Sequence, residues 1–334
     1  MVEILACGFL VVDIVVADID RIANPGETIF VHRGIEISIG GHPANVAIDL
    51  VKLGIRPDII GVSGAVGNDM FGDFIERTLR SYGLNVFLQR VNMSTNKNVI
   101  LVVRGEDRRF HVEIGASRMY APSLVKKLIE RERPRIFYLA SGILDQVDNK
   151  IEEIFRTAKE HGAITFADVV KPYGKGWDYI IPAMEYIDIF HCNDKEAVNI
   201  AHTESLEEAI DFIIERGVKL LLITMGGRGA IGASKCVRIM QKAFKVRVID
   251  PTGAGDGFCA GIIYKLMEMK IRNLDKLIAM KEELVRMILY AQAVGAMACT
   301  APGTTSGVTK RRVEELIGDQ GKELLMSTTI REWN

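Results

Sequence analysis

Residues Asp250-Pro251-Thr252-Gly253-Ala254-Gly255-Asp256 place an acid on each side of a glycine-rich turn. Val246 to Ile249 before them reads as a strand, and Phe258 to Met269 after them carries apolar residues at helical spacing. A turn of this kind at a helix start gathers backbone N–H groups that have no partners of their own, and the helix dipole adds positive potential there. The result is an anion site, and glycine lets the backbone approach the anion without a Cβ in the way. Asp256 at its rim would repel an anion that merely bound. It makes chemical sense as a base that takes the proton of a hydroxyl attacking a phosphoryl group. An Asp at a helix N-terminus also serves as a plain cap, and the seven residues alone leave both readings open.

The chain around them has 334 residues, 48% hydrophobic and 25% charged, with a formal net charge of −1. That suits one large globular α/β unit and gives no electrostatic reason to expect nucleic acid or an anionic membrane as partner. Cys7, Cys192, Cys236, Cys259 and Cys299 are odd in number and contain no C-x-x-C. They argue against a disulfide framework or structural zinc and for a reducing cytoplasm, with Cys259 as buried packing. Ile4 to Val12 is too short to span a bilayer and reads as a buried first strand.

From Arg135 onward strands and helices alternate. Strands are expected at 136–140, 163–167, 187–190 and 219–224, and helices at 151–161, from Lys195, and at 206–216. This rhythm implies a mostly parallel sheet with helices on both faces. The last third is helical, including Leu277 to Cys299. Toward the N-terminus, helices are expected at 43–53 and 69–82, with two β-like pieces around them that break the rhythm. These are 14–39 and the pair Val99–Val103 and Phe110–Ile114, joined across Arg104-Gly105-Glu106-Asp107-Arg108. They imply a small sheet standing off the main layer as a cover.

Three further clusters fit ligand binding. Gly40-Gly41-His42-Pro43-Ala44-Asn45 opens a helix with two glycines, and Asn45 has the donor and acceptor that suit sugar hydroxyls. His42 has no second His or Cys at ligand spacing, so it is not expected to hold a metal. Asp13, after the first strand, points into the ligand crevice of an open sheet or simply ends the strand in solvent. Asn193 and Glu196 suit a hydrated Mg²⁺ near phosphates, but N-x-x-E is also a capping box. Gly227 to Gly232 matches G-x-G-x-x-G, yet β-like stretches follow it instead of the helix a dinucleotide fold requires. No G-x-x-x-x-G-K-[ST] exists, so any ATP is held without a P-loop.

Taken together the motifs resemble the ribokinase (PfkB-type) family of carbohydrate kinases. Gly40-Gly41-x-x-x-Asn45-x-Ala47, the stretch from Gly64 to Gly72, Asn193-x-x-Glu196, Thr224 to Gly229 and Asp250 to Asp256 occur in the family's order, over Gly8 to Thr309. The resemblance implies a single ribokinase-like domain over 1–334. Its core would be a three-layer α/β/α unit, with a β lid inserted at about 14–39 and 96–116. It implies Asp256 as catalytic base with the amides of Gly253, Ala254 and Gly255 as the anion hole, donors worth about 3 kcal/mol each in comparable sites. Asp13, Gly41 and Asn45 would hold the acceptor. Asn193 and Glu196 would organise Mg²⁺ and phosphate, and Thr224, Gly226 and Gly229 would line ATP. Asp250 and Gly303 would hold K⁺, and the lids of two subunits would pair in a homodimer. The chain departs from the family at Asp168-Val169-Val170-Lys171 and Gly115-Ala116-Ser117, near where substrate identity is set. The expected activity is ATP-dependent phosphorylation of a small sugar. The alternative is a nucleoside kinase with Phe30, Phe110, Met119 or Tyr120 against the base. A non-catalytic sugar-binding protein would keep ligand binding without ATP turnover.

Overall fold

The computed structural model describes residues 1–32, 34–106 and 109–332. Arg33, Asp107 and Arg108, which fall in the expected lid segments, lie outside the described residues. In chain order the N-terminal half comprises β1 (Ile4–Cys7), β2 (Val11–Ile19), β3 (Ile35–Gly40), α1 (His42–Lys52), β4 (Ile60–Gly67), α2 (Met70–Ser81), β5 (Asn85–Val91), β6 (Asn96–Val103), β7 (Arg109–Glu113) and α3 (Pro122–Glu132). The alternating part follows with β8 (Ile136–Ser141), α4 (Ile151–Glu160), β9 (Ile164–Val169), β10 (Ile189–Asn193), α5 (Asp194–Ala201), α6 (Leu206–Glu215) and β11 (Leu220–Thr224). The chain closes with β12 (Ala230–Ala233), β13 (Val237–Gln241), α7 (Ala254–Glu268), α8 (Leu274–Ala279), α9 (Lys281–Ala298), α10 (Lys310–Met326) and β14 (Thr329–Glu332).

The main sheet has ten strands in the order β14-β13-β12-β11-β10-β9-β8-β1-β4-β5. From β11 to β5 all neighbours are parallel, and β12 to β14 add an antiparallel edge. Strands such as Ile4–Cys7 and Ile136–Ser141 are buried throughout, as a sheet covered on both faces requires. One face packs against α1, α7 and α9, the other against α3, α4, α5 and α6. Strand order reverses at β1, which lies between β4 and β8. That reversal opens a crevice at the carboxyl ends of the strands.

A separate four-stranded sheet, β3-β2-β6-β7, forms the lid. It begins at Val11, earlier than the expected 14. Asp13 is therefore the third residue of a lid strand and neither ends the first strand nor faces solvent. A one-residue shift in register moves every side chain to the opposite face. The pairing places Ser38, Asp13, Asn98 and Val112 on one face, and Ile37, Ile14, Val99 and His111 on the other.

Two other expectations fail locally. Val246 to Ile249 is not a strand. The segment leaves the sheet and hangs on the end of α9, with Ile249 N–H donating to Cys299 O at 2.8 Å and Asp250 N–H to the same oxygen at 3.1 Å. The stretch read as one helix from Leu277 breaks at Met280, whose ψ of 68° ends α8 and starts α9. The hairpin β12–β13 after Gly229 is antiparallel, which excludes the dinucleotide-type helix there.

Candidate active site

Asp256 sits in the first turn of α7 and is buried. Its place depends on small residues. A Cβ at Gly261 would lie 2.6 Å from Ala291 Cα, and one at Gly295 would lie 2.7 Å from Ala254 O, so α7 and α9 are in close backbone contact. Gly253 at the N-cap has φ 82°, and a Cβ there would collide with Thr304 O. Among the described residues the N–H groups of Gly253, Gly255 and Asp256 donate to nothing, whereas Ala254 N–H turns back to Pro251 O at 3.3 Å. The amides left free at this turn, a potential cradle, are thus those of 253, 255 and 256, while that of Ala254 is engaged. The missing Cβ of Gly255 faces only His191 Cε1, at 3.4 Å.

Asn45 on α1 donates Nδ2 to Asp256 Oδ2 at 2.7 Å and accepts from Thr304 Oγ1 at 2.8 Å. Gly40 and Gly41 before it are required by packing: a Cβ at 40 would strike Asp13 Oδ2, and one at 41 (φ 96°) would strike Phe9 O. Asp13 approaches from the lid, with Asn98 Nδ2 donating to its Oδ1 at 3.1 Å. Burial pushes the Asp13 carboxyl up to about 6, against the Asn98 hydrogen bond and together with the charges of Asp250 and Asp256. Asn98 Oδ1 and Asp256 Oδ1 are buried acceptors without a hydrogen-bond donor. Asp49, one turn beyond Asn45, is buried with both oxygens unpartnered, and burial raises its carboxyl well above the usual range.

A polar chain that no spacing in the sequence announces runs beside Asp256. His42 Nδ1 lies 2.8 Å from Asp168 Oδ2, in hydrogen-bond geometry, and 2.9 Å from Asp256 Oδ1, off the hydrogen-bond direction. Asp168 also accepts from Tyr138 Oη (2.7 Å), Val169 N–H (2.9 Å) and His191 Nδ1 (2.9 Å), and His191 Nε2 reaches Thr224 Oγ1 at 3.2 Å. Burial opposes ionisation of Asp168, but the two histidines outweigh it and hold the carboxyl well below the usual range. Burial likewise opposes the charge on His42, and Asp256 and Asp168 outweigh it and raise the imidazole well above its ordinary value. Cys259 Sγ packs 3.9 Å from Asp168 Oδ2.

A cleft of about 240 Å³ adjoins the cradle, lined by Thr224, Gly226, Gly229, Phe244, Gly255 and Phe258 among others. Asn193 and Glu196 stand at the start of α5, where both halves of the capping box form: Asn193 Oδ1 accepts from Glu196 N–H at 2.9 Å, and Glu196 Oε2 from Asn193 N–H at 2.8 Å. Glu196 therefore turns to its own helix end. Asp250 Oδ1 accepts from Thr252 N–H and Oγ1, and its Oδ2 from Gly303 N–H at 3.1 Å. Tyr120 is buried in the core with its hydroxyl donating to Ser63 Oγ, out of reach of a nucleoside base. Ser117, in place of the family's Asn, is buried beside Asn96, which donates to it.

Residues 8–311 match the pattern of the pfkB family of carbohydrate kinases. The chain belongs to that family. Among relatives of this pfkB-family kinase, the ribokinase of Haemophilus influenzae is 24% identical over 307 residues, covering 89% of this chain and 92% of that one. A bifunctional ribokinase/ribose-5-phosphate isomerase A of Fructilactobacillus sanfranciscensis is 25% identical and covers 99% of this chain, which spans only 58% of that longer protein. The structure of Arabidopsis thaliana ribokinase complexed with ribose and ATP superposes with a TM-score of 0.76 at 22% identity, covering 95% of this chain and 99% of that one, and so shares the fold. The large, mostly parallel sheet with its small separate sheet is the ribokinase-like architecture. In this kinase the fold brings Asp13, Gly41, Asn45, Gly253, Gly255 and Asp256 together at one end of the sheet, with Thr224, Gly226 and Gly229 alongside.

Proposed function

We propose that this sugar kinase transfers the γ-phosphate of ATP in line to a hydroxyl of a small sugar, with Asp256 as the base. One observation carries the reading. Two buried acceptors, Asp256 Oδ1 and Asn98 Oδ1, lack donors, and Asp13 sits beside Asn98. A buried acceptor left without a donor costs about 1–3 kcal/mol. A polyhydroxylated ligand supplies the missing O–H groups. Asn45 orients Asp256 through Oδ2, leaving Oδ1 to accept the proton of the attacking hydroxyl. The amides of Gly253, Gly255 and Asp256 would receive the charge of the transferring phosphoryl group. The lid would keep out water, the competing acceptor.

ATP would occupy the cleft beside Thr224, Gly226 and Gly229, with its triphosphate toward α7. Mg²⁺, bound with ATP, would draw charge from the β- and γ-phosphates. Glu196 fits as its outer partner. Its Oε1 takes no hydrogen bond among the described residues, and burial, against the Asn193 N–H and together with Asp168, raises its carboxyl above the usual range. A nearby cation would relieve both. Asp250 and Gly303 fit K⁺ poorly, because both carboxylate oxygens accept hydrogen bonds and Gly303 presents its N–H. K⁺ there rests on the family resemblance alone.

A nucleoside kinase is the second reading. Phe110 and Val112 are part-exposed on the same lid face as Asp13, an apolar surface that a base could cover. ADP release with ribose, fructose and other small sugars against inosine, cytidine and adenosine separates the two. Turnover with a sugar alone supports the main reading, and turnover with nucleosides alone replaces it.

The opposite lid face carries Ile14, Val16, Ile35, Ile37, Val99 and Leu101, with Ile35 and Ile37 exposed. We assign this apolar face to a homodimer contact with a second lid. No helix among the described residues is long and apolar enough to cross a membrane. The unpaired cysteines, three of them buried, fit a reducing cytoplasm.

A further inference from the structure

We propose that His42 is a positioning residue for the base: its imidazolium, anchored on Asp168, fixes the Asp256 carboxylate and keeps it ionised for proton abstraction. The inference rests on Asp256 being the base.

The geometry assigns the anchor. Asp168 is fixed by donors from four directions, Tyr138, His191, Val169 and His42, and cannot follow a moving imidazole. His42 is held from behind by its position at the start of α1 after Gly41, and its ring packs against Phe9 with centroids 5.3 Å apart. Its Nδ1 proton points at Asp168, so the ring meets Asp256 Oδ1 as a charge at 2.9 Å and leaves that oxygen open to the substrate hydroxyl. A hydrogen bond to Oδ1 would instead compete with the substrate for the oxygen that must take the proton.

The surroundings of Asp256 show why a cation is needed there. Acidic groups interact with it from several elements: Asp13 on β2 and Asp49 on α1, while Asp168 on β9 shares His42 with it. Asp250, at the other end of the cradle, interacts with Asp13. Tyr138 on β8 and Cys259 within α7, both neutral, also sense Asp256. Asn45 donates to it without charge. Lys52 acts on Asp49. Among the described residues His42 is the only cation in contact with the base. Like charges drive a carboxyl toward protonation, and an opposite charge within about 4–6 Å reverses this by about 1–3 pH units. Glu196, toward the nucleotide side, also senses His42.

The test compares wild type with His42→Gln, which can still donate to Asp168 but carries no charge, and His42→Lys, which restores a cation. The pH profile of kcat is measured at saturating sugar and ATP, with thermal unfolding of each variant. In His42→Gln the acid limb should move to higher pH by about one unit or more, with kcat recovering in alkali, and in His42→Lys it should stay within a few tenths of a unit of wild type. An unmoved acid limb in a folded His42→Gln overturns the proposal and reduces His42 to packing. A readout independent of turnover is the ¹⁵N NMR signature of the ring. It should be that of an imidazolium at pH 7 in wild type and become neutral there in Asp168→Asn. A neutral His42 ring in wild type at pH 7 also overturns the proposal. Wild type that phosphorylates no sugar or nucleoside overturns the kinase reading instead, and the NMR result still decides the state of His42.

Discussion

Asn45 and Asp256 lie 211 positions apart in the chain and are joined by one buried hydrogen bond of 2.7 Å, from Nδ2 to Oδ2. This bond couples the motif at 40–47 to that at 250–256, and Thr304 Oγ1 closes on Asn45 from the other side, donating to its Oδ1. Asn45→Ala should leave Asp256 free to rotate and Thr304 Oγ1 without its acceptor. We expect kcat to fall about 10²-fold, in line with the cost of misplacing a reacting group, and the sugar KM to rise. Steady-state kinetics check this; a change confined to KM would mean that Asn45 holds substrate only.

Gly253 and Gly255 are separable by substitution. Gly253→Ala places a Cβ at φ 82° against Thr304 O, and should cost about 1–3 kcal/mol of stability along with activity. Gly255→Ala meets only His191 Cε1 at 3.4 Å and should unfold near the wild-type temperature. Its kcat should still fall if the turn receives the transferring phosphate as proposed, because the methyl would intrude there. Thermal melts with kcat for both variants test the distinction, and equal melting losses would contradict it.

Asp13 gives a pH signature. Its carboxyl is raised from 3.8 to about 6. A raised group contributes stability that is fully present below the unfolded value and is lost as pH rises through the folded one. Its contribution therefore disappears between about pH 4 and 6, by at most about 3 kcal/mol. Asp13→Asn should flatten denaturant stability over this window while raising the sugar KM. An unchanged pH dependence in the variant would show that Asp13 does not titrate there.

The lid's outer face can be tested by charge. Ile37→Lys should leave the monomer folded and shift light scattering from dimer to monomer, since an unpaired ammonium opposes burial. A wild-type protein that is already monomeric at high concentration removes the dimer from the account.

The sequence carried most of the fold because strands buried on both faces read as apolar runs between helices of regular period. The stretch from Gly253 to Asp256 was legible for a different reason: cap, turn and acid are contiguous, so local spacing describes the site. Asp13 reads in the sequence as the end of the first strand and lies in the next one, since a nine-residue strand that leaves the core looks like the end of the strand before it. Asn193 and Glu196 carried two meanings in one spacing, and the capping box formed. His42, Asp168 and His191 could not be found by spacing, because they come from a helix start and two adjacent strands, and only strand order brings them together. The one available signal was the departure at Asp168-Val169-Val170-Lys171, an acid without the Asn and Arg that follow it in many members of the family the motifs resemble.

The central claim is that Asp256 removes the proton from the attacking hydroxyl. The most direct measurement is kcat of Asp256→Asn with the best sugar of the panel, alongside circular dichroism and thermal unfolding. The side chain keeps its size and its contact with Asn45 but can no longer accept a proton at neutral pH. The expected result is a folded protein whose kcat is lower by about 10³-fold or more. Near-wild-type turnover in that variant would contradict the account.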